Sequence, residues 1–443
     1  MPQVTVLLVE RLGQLTGSVG PGVPEPRDPE GRPLLTETGR WGLRGVDLGA
    51  CTEHDSRLFV FFGDSFDSPH ADPVCWSDDE APLTRGGHLP SGPALNPPPG
   101  TMVEPGQAGT WRRCRGCDSV VLDEARRGQC PNAEGGGISL DTVVDAAGRF
   151  VPFTVEGQIG PLGINETPTG AFSHSGRVYV FVWVGPRPTG PTAGSYLVST
   201  SDPTTPAAYR LERAISPLRF DSCAYWQISP VVVDNAAHAG LPTTSGQGLV
   251  MMSHGFDVSL GADGIHLAWM PLGEGDPASA PLQYAALGED GTLSWSAEES
   301  NGRSLFRQHG YTSVSLLWVE PASRWVLLYS KAGLADPGAS LPDRRDGPIV
   351  ARLGTSLADW SDEIPVFDPL RDQAAGRYLH RPGADELHRY PPGMDAPGWS
   401  YGAFQVERFT TWDEATRRLG LTYLLSTFAP YQVQLMRTTL HVP

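Results

Sequence analysis

The sequence predicts an all-β fold, a five-bladed β-propeller with long loop insertions, and three observations carry that prediction. Helical periodicity is almost absent over 443 residues, whereas short runs rich in Val, Tyr, Phe and Trp recur between clusters of Gly, Pro, Asp and Ser. A two-strand pattern then repeats five times. Its inner member, small or polar and then alternating apolar, falls at Gly45 to Cys51, Thr167 to Ser173, Gln227 to Val233, Thr312 to Val319 and Tyr401 to Phe409. The second, more apolar member follows at Leu58 to Phe62, Arg177 to Trp183, Gly248 to Met252, Trp325 to Tyr329 and Leu419 to Leu425. Finally, Val4 to Val9 is a β-like run that can close the last blade beside Gln432 to Thr438, joining the ends of the ring.

Taken in order, the N-terminal strand leads through a Pro- and Gly-rich stretch, Gly20 to Pro33, into the first blade. There a polar turn, Glu53-His54-Asp55-Ser56-Arg57, joins two strands into a hairpin. Residues 67–137 read as one long insertion of that blade, holding Pro97-Pro98-Pro99-Gly100 and four of the six cysteines. Looser outer-strand tags occur at Ser199 to Tyr209, Gly291 to Trp295 and Thr355 to Trp360. Asp263-Gly264 and Asp290-Gly291 read as hairpin turns, and Trp318, Trp325 and Trp360 as blade packing. The expected organisation is a single domain, residues 1–443. Gly 52 and Pro 42, about a fifth of the chain, suit many turns without implying disorder.

Charge narrows the partners. A net charge of −17 argues against nucleic acid or an anionic membrane surface, because phosphate binding needs concentrated positive charge. A neutral substrate is compatible with it. No run approaches the length of a membrane-spanning helix, and Met1 to Glu10 lacks the basic and apolar regions of a signal peptide. The expectation is therefore a cytoplasmic protein, or a secreted one if its N-terminus has been trimmed. Cys114-x-x-Cys117 followed by Cys130 has zinc-like spacing, with Cys75 or His88 as a fourth ligand; the same cysteines could be disulfide-bonded or simply reduced. No cofactor is expected.

The chemistry concentrates at the first hairpin. Asp47, in Gly45-Val46-Asp47-Leu48-Gly49, lies eight residues before Asp55, and Asp64, in Phe62-Gly63-Asp64-Ser65-Phe66, lies nine after it. Near cross-strand neighbours place their Cβ atoms about 5 Å apart. Two acids so placed repel each other, which splits their protonation and suits acid/base or nucleophilic work; the plainer alternative is that both cap turns. Glycoside hydrolysis needs one protonated carboxyl for the leaving oxygen and one ionised carboxyl to attack or to activate water. The short expected separation favours retention of configuration. Which Asp takes which role stays open at this stage. Glu166, Gln227, His254 and Tyr401 are candidates to line the same mouth and bind substrate, with His380 and Trp399 as loop residues of the kind that shape a subsite. No Ser-His-Asp order, phosphate loop or dinucleotide fingerprint stands out.

An ordered set of motifs also carries a resemblance. Leu15-Thr16-Gly17, Arg44-Gly45-Val46-Asp47-Leu48-Gly49, Phe62-Gly63-Asp64-Ser65-Phe66, Pro168-Thr169-Gly170-Ala171 and the tail from Leu425 to Met436 resemble the bacterial propeller family that includes endo-D-arabinanases. It runs from about Leu15 to Leu440. What it implies is a five-bladed propeller acting on D-arabinofuranose polymers of mycobacterial arabinogalactan or lipoarabinomannan, with Asp47 and Asp64 as the catalytic pair. The chain departs from the pattern at Val46, Ser65 and Phe428, and more seriously at Gly310-Tyr311-Thr312-Ser313, where relatives often carry Gly-Glu-Leu-Ser.

Overall fold

The computed structural model describes residues 3–16, 41–43, 45–65, 71–82, 90–95, 111–114, 120–122, 138–157, 159–163, 166–185, 193–216, 224–257, 261–273, 276–307, 313–331, 348–372, 374, 378–382 and 397–443. Five sheets stand around one axis, antiparallel throughout except where Tyr209–Ser216 pairs in parallel with Thr154–Glu156 at the edge of blade 2. Their innermost strands are Val46–His54, Glu166–His174, Gln227–Asp234, Val314–Val319 and Trp399–Gln405, and each neighbours the next in a closed circle. The second strands are Arg57–Ser65, Arg177–Val184, Gln247–Asp257, Arg324–Ser330 and Arg418–Phe428. Ring closure is made by the two ends of the chain: Thr5–Gln14 pairs antiparallel with Gln432–His441 as the outer strand of blade 5. Among the described residues the helices are three-residue 3₁₀ turns.

Small residues make the circle possible. Strands converge on the axis, so backbone must approach backbone, and only side chains such as Gly49-Ala50, Gly170-Ala171, Ser229, Ser315 and Gly402-Ala403 fit there. A Cβ on Gly170 would lie 2.2 Å from the carbonyl oxygen of Ile228 in the next blade. Hydroxyls then staple the seams. The Ile228 N–H donates to Thr169 Oγ1 (3.2 Å), Leu316 N–H to Ser229 Oγ (2.8 Å), Gln405 N–H to Ser315 Oγ (2.9 Å) and Leu48 N–H to Ser426 Oγ (2.7 Å). The blade 1–blade 2 seam is joined differently, by Thr167 donating to Asp64 Oδ1 (3.3 Å) at one end and by His54 Nδ1 with Ser173 Oγ (2.8 Å) at the other.

Further from the axis the sheet faces bury large side chains between blades. Phe61 packs on Phe153 and Tyr209 between blades 1 and 2, and Trp325 sits with His238 and Trp318 between blades 3 and 4. Each fully buried Phe or Leu of this kind contributes about 1.5–3 kcal/mol. Trp318 and Trp360 are partly buried against the same cluster, as blade packing requires.

Several details differ from expectation. Asp263-Gly264 is not a turn but lies inside Ala262–Leu272, because Phe306–Arg307 crosses there and a Cβ on Gly264 would meet Ser304 Cβ at 2.4 Å. Thr355 to Trp360 is the turn joining Ile349–Gly354 to Ile364–Phe367, rather than a strand. Asp290-Gly291 is a turn, with Gly291 at φ +78. Within 67–137 lie the third strand of blade 1, Val74–Ser77, and a separate three-stranded sheet of Pro90–Leu95, Trp111–Cys114 and Val120–Leu122. The Gly20 to Pro33 stretch and Gly310-Tyr311-Thr312 lie outside the described residues.

Candidate active site

All five inner strands begin at the same end of the axis, and the carboxylates gather there. The first hairpin closes on Asp55 and Ser56, at φ +47 and +66, the two positive values that a tight turn matched to strand twist requires. From it the strands run to a bulge. Val46 pairs with Ser65 and Leu48 with Phe62, so Asp47 opposes Gly63 and Asp64 together. Gly63 is needed: a Cβ there would sit 2.5 Å from Asp47 Oδ1. Leu48, beside Asp47, is held at φ +58, a conformation that costs a non-glycine residue energy and is stabilised here by its bond to Ser426.

Asp47 is buried, with 8% of its surface exposed, and two phenols reach it from blade 5. Tyr401 donates to Oδ2 at 2.8 Å, and Tyr431 also hydrogen-bonds the carboxyl. Burial pushes the Asp47 pKa up to about 6, while the two phenols hold it back. Asp64, half-buried, goes further: burial and the Asp47 charge raise it to about 8, with Thr167 pulling downward and Glu166 adding repulsion. No basic side chain among the described residues offsets these charges. The arrangement therefore makes Asp47 the more readily ionised of the two and Asp64 the better holder of a proton.

Of the other expected residues, Glu166 is buried at the start of the blade 2 inner strand, within Coulombic reach of Asp64. Tyr401 is at the site, but its hydroxyl is engaged with Asp47. Gln227 and His254 face each other across the first pair of blade 3, at the same end of the axis. His254 is fully buried, edge-on to Trp226 at 5.3 Å, and burial with His266 nearby lowers its pKa to about 3, so it is neutral. Trp226 stacks in turn on Trp183 at 6.1 Å. His380 and Trp399 are packing residues beside the Tyr431 turn: His380 exchanges backbone bonds with Ala429 and Gly398, and Trp399 stacks on Phe428 at 4.0 Å.

Two residues escaped the sequence. Tyr431 lies 384 positions from Asp47, in the tail motif that carried the resemblance but gave this residue no role. Asp72 sits in the stretch taken as insertion, yet it is 0% exposed and in Coulombic reach of Asp64, Asp47 and Glu166. The zinc alternative is only partly in view: Cys75 is buried in the core of blade 1, Cys114 ends a strand whose side chains are not described, and Cys117, Cys130 and His88 lie outside the described residues. Among the described residues no three His, Cys, Asp or Glu side chains are grouped to hold a metal ion. A separate cavity of about 400 Å³ is lined by Thr52, Thr169, Ser173, Ser229, Ser315 and Gln405, with Glu53, Glu320 and Glu407, and does not include Asp47, Asp64, Asp72 or Glu166.

Fold and site together define a five-bladed propeller with a carboxylate cluster at one mouth of its axis. No protein-family model matches the chain, and no curated protein does. Solved structures similar to it include one described as from the GH130 family of mannoside phosphorylases, containing glycoside hydrolases that target β-1,2 mannosidic linkages in Candida mannan, at 11% identity and TM-score 0.44, covering 99% of this chain and 95% of that one. A glycosyl hydrolase from Bacteroides ovatus is similar at 11% identity and TM-score 0.43, covering 98% and 94%. An α-L-arabinanase mutant from Cellvibrio cellulosa follows at 10% identity and TM-score 0.37, covering 88% and 90%. Likeness at this level assigns no substrate or reaction to this chain.

Proposed function

We propose that the chain is a glycoside hydrolase in which Asp64 is the acid and Asp47 the nucleophile. One observation carries the proposal: two carboxyls share one hairpin end in unlike surroundings, Asp47 accepting from two phenols and Asp64 buried beside that charge without them. In the first step the Asp64 O–H bond breaks and its proton goes to the glycosidic oxygen. The bond from that oxygen to the anomeric carbon breaks as an Asp47 oxygen bonds to the carbon, and an alcohol leaves. In the second step water attacks the same carbon, its proton passes to Asp64, and Asp47 is released as carboxylate. The anomeric configuration is retained.

The substrate we propose, an internal linkage of a D-arabinofuranose polymer, rests on the motif resemblance. Glu166 and Gln227 would meet its hydroxyls and Tyr401 would act through Asp47, whereas His254, fully buried behind Trp226, does not reach a substrate in this arrangement. Incubating the protein with mycobacterial arabinogalactan, beside Asp47→Asn and Asp64→Asn, tests both levels. Oligosaccharide release by wild type alone supports hydrolysis, and proton NMR of the fresh product reads the anomer. Binding without release from any furanoside polymer would leave a carbohydrate-binding propeller without turnover.

A further inference from the structure

We infer that Asp72 is a positioning residue for the same chemistry: it stands behind Asp64 as a neutral acid and hydrogen-bonds the Asp64 carboxylate once that group has given up its proton. The purpose assigned to it rests on the hydrolase proposal; its test does not. The placement comes from backbone. Phe62 N–H donates to Pro73 O (3.1 Å) and Ala71 N–H to Ser65 Oγ (3.1 Å), so residues 71–73 run beside Gly63-Asp64. Asp47, Asp64 and Asp72 thus come from three adjacent stretches of blade 1. Asp72 is also clamped toward blade 2: its N–H donates to Leu162 O (3.3 Å) and its carbonyl accepts from Phe153 N–H (2.8 Å), in the segment that leads into Glu166 and Thr167.

Its carboxyl is 0% exposed and neither oxygen has a hydrogen-bond partner. An ionised carboxylate in that setting, facing Asp64, Asp47 and Glu166 with no cation against it among the described residues, is strongly disfavoured. Burial first, then those three charges, raises its pKa well above the usual carboxylate range. Even neutral, an unpartnered buried acid costs stability, so its use lies in the reaction cycle. When Asp64 loses its proton, Thr167 at 3.3 Å supplies one donor to the new carboxylate. The Asp72 O–H supplies a second, charge-assisted bond, which relaxes when Asp64 takes a proton from the attacking water. Asp72 keeps its own proton throughout.

Asp72→Asn keeps a donor without charge, and Asp72→Leu keeps the volume without a donor. With aspartate labelled at the side-chain carboxyl carbon and Asp64→Asn for assignment, the Asp64 titration is read by carbon NMR with no substrate present. The expected result is an Asp64 midpoint unchanged in Asp72→Asn and raised by about one unit or more in Asp72→Leu. The Leu variant should melt higher than wild type, yet turn over about 10- to 100-fold more slowly, with activity restored in the Asn variant. A midpoint that falls by about a unit in Asp72→Asn would show a charged Asp72 and overturn the inference. So would a Leu variant with an unmoved midpoint. Asp72→Ala gives the same comparison if the Leu variant does not fold. A wild type that hydrolyses nothing counts against the hydrolase proposal alone, since the titration still decides Asp72.

Discussion

Replacing Tyr401 by Phe removes one oxygen from the site, the one that donates to Asp47 Oδ2 at 2.8 Å. A hydrogen bond to a charged group is worth about 1.5–3 kcal/mol, and one pKa unit is about 1.4 kcal/mol. Losing it should therefore lift Asp47 from about 6 by about one to two units, toward the lower figure because Tyr431 remains. In wild type, kcat/KM should be bell-shaped, rising as Asp47 ionises near pH 6 and falling as Asp64 deprotonates near pH 8. With Asp47 at about 7, the ionised fraction at pH 6 drops from about a half to about a tenth, while at pH 8 it scarcely changes. The deficit is thus about fivefold at pH 6 and nearly absent at pH 8. Reducing-end release from arabinan across that range is the assay. A deficit equal at every pH, or an acid limb that stays put, would refute the assignment of Asp47 as the ionised partner.

Gly63→Ala should cost about 100-fold in kcat with little change in fold, because the new Cβ displaces Asp47 Oδ1 from 2.5 Å away; circular dichroism beside the rate checks both halves. Ser315→Ala leaves the Gln405 N–H unpaired at a buried seam and should lower stability by about 1–3 kcal/mol in urea unfolding, with the pH profile of activity unmoved. The carboxyl cluster also sets a sign for stability against pH. Asp64 binds its proton more tightly folded than unfolded, so its contribution is fully present below the unfolded value of 3.8 and is lost as pH rises to about 8. The melting temperature of wild type relative to Asp64→Asn should accordingly fall between pH 4 and 8; a rising difference would contradict the burial of Asp64.

The blades were legible because their signals are local. Each inner strand converges on a crowded axis and so carries small residues, and each second strand is apolar and ends in turn residues, which fixes both within a few positions. Asp47 and Asp64 were legible for the same reason, since one tight turn relates them. Asp263-Gly264 misled because Gly serves close approach as well as turning, and the crossing strand at Phe306–Arg307 has no local trace. Asp72 and Tyr431 depend on lateral contacts: an irregular stretch lying against a strand end, and a tail docking 384 residues from its partner. No spacing rule encodes such contacts. The only available hint for Asp72 was the short apolar run Val74-Cys75-Trp76 after it, a third strand absorbed into a long insertion.

The clasp between Thr5–Gln14 and Gln432–His441 has a temporal meaning as well. Tyr431 precedes that last strand by one residue, and Val433 is tied to the other end of the chain through Leu15 and Thr16. Two strands far apart in the sequence must therefore pair before a donor is seated on Asp47, whose own hairpin is synthesised long before Tyr431. A chain still being synthesised has its paired acids early but not the phenol that tunes them. Activity regained during refolding should trail the return of blade 1 structure and coincide with docking of the final strand, so that turnover reports a finished ring.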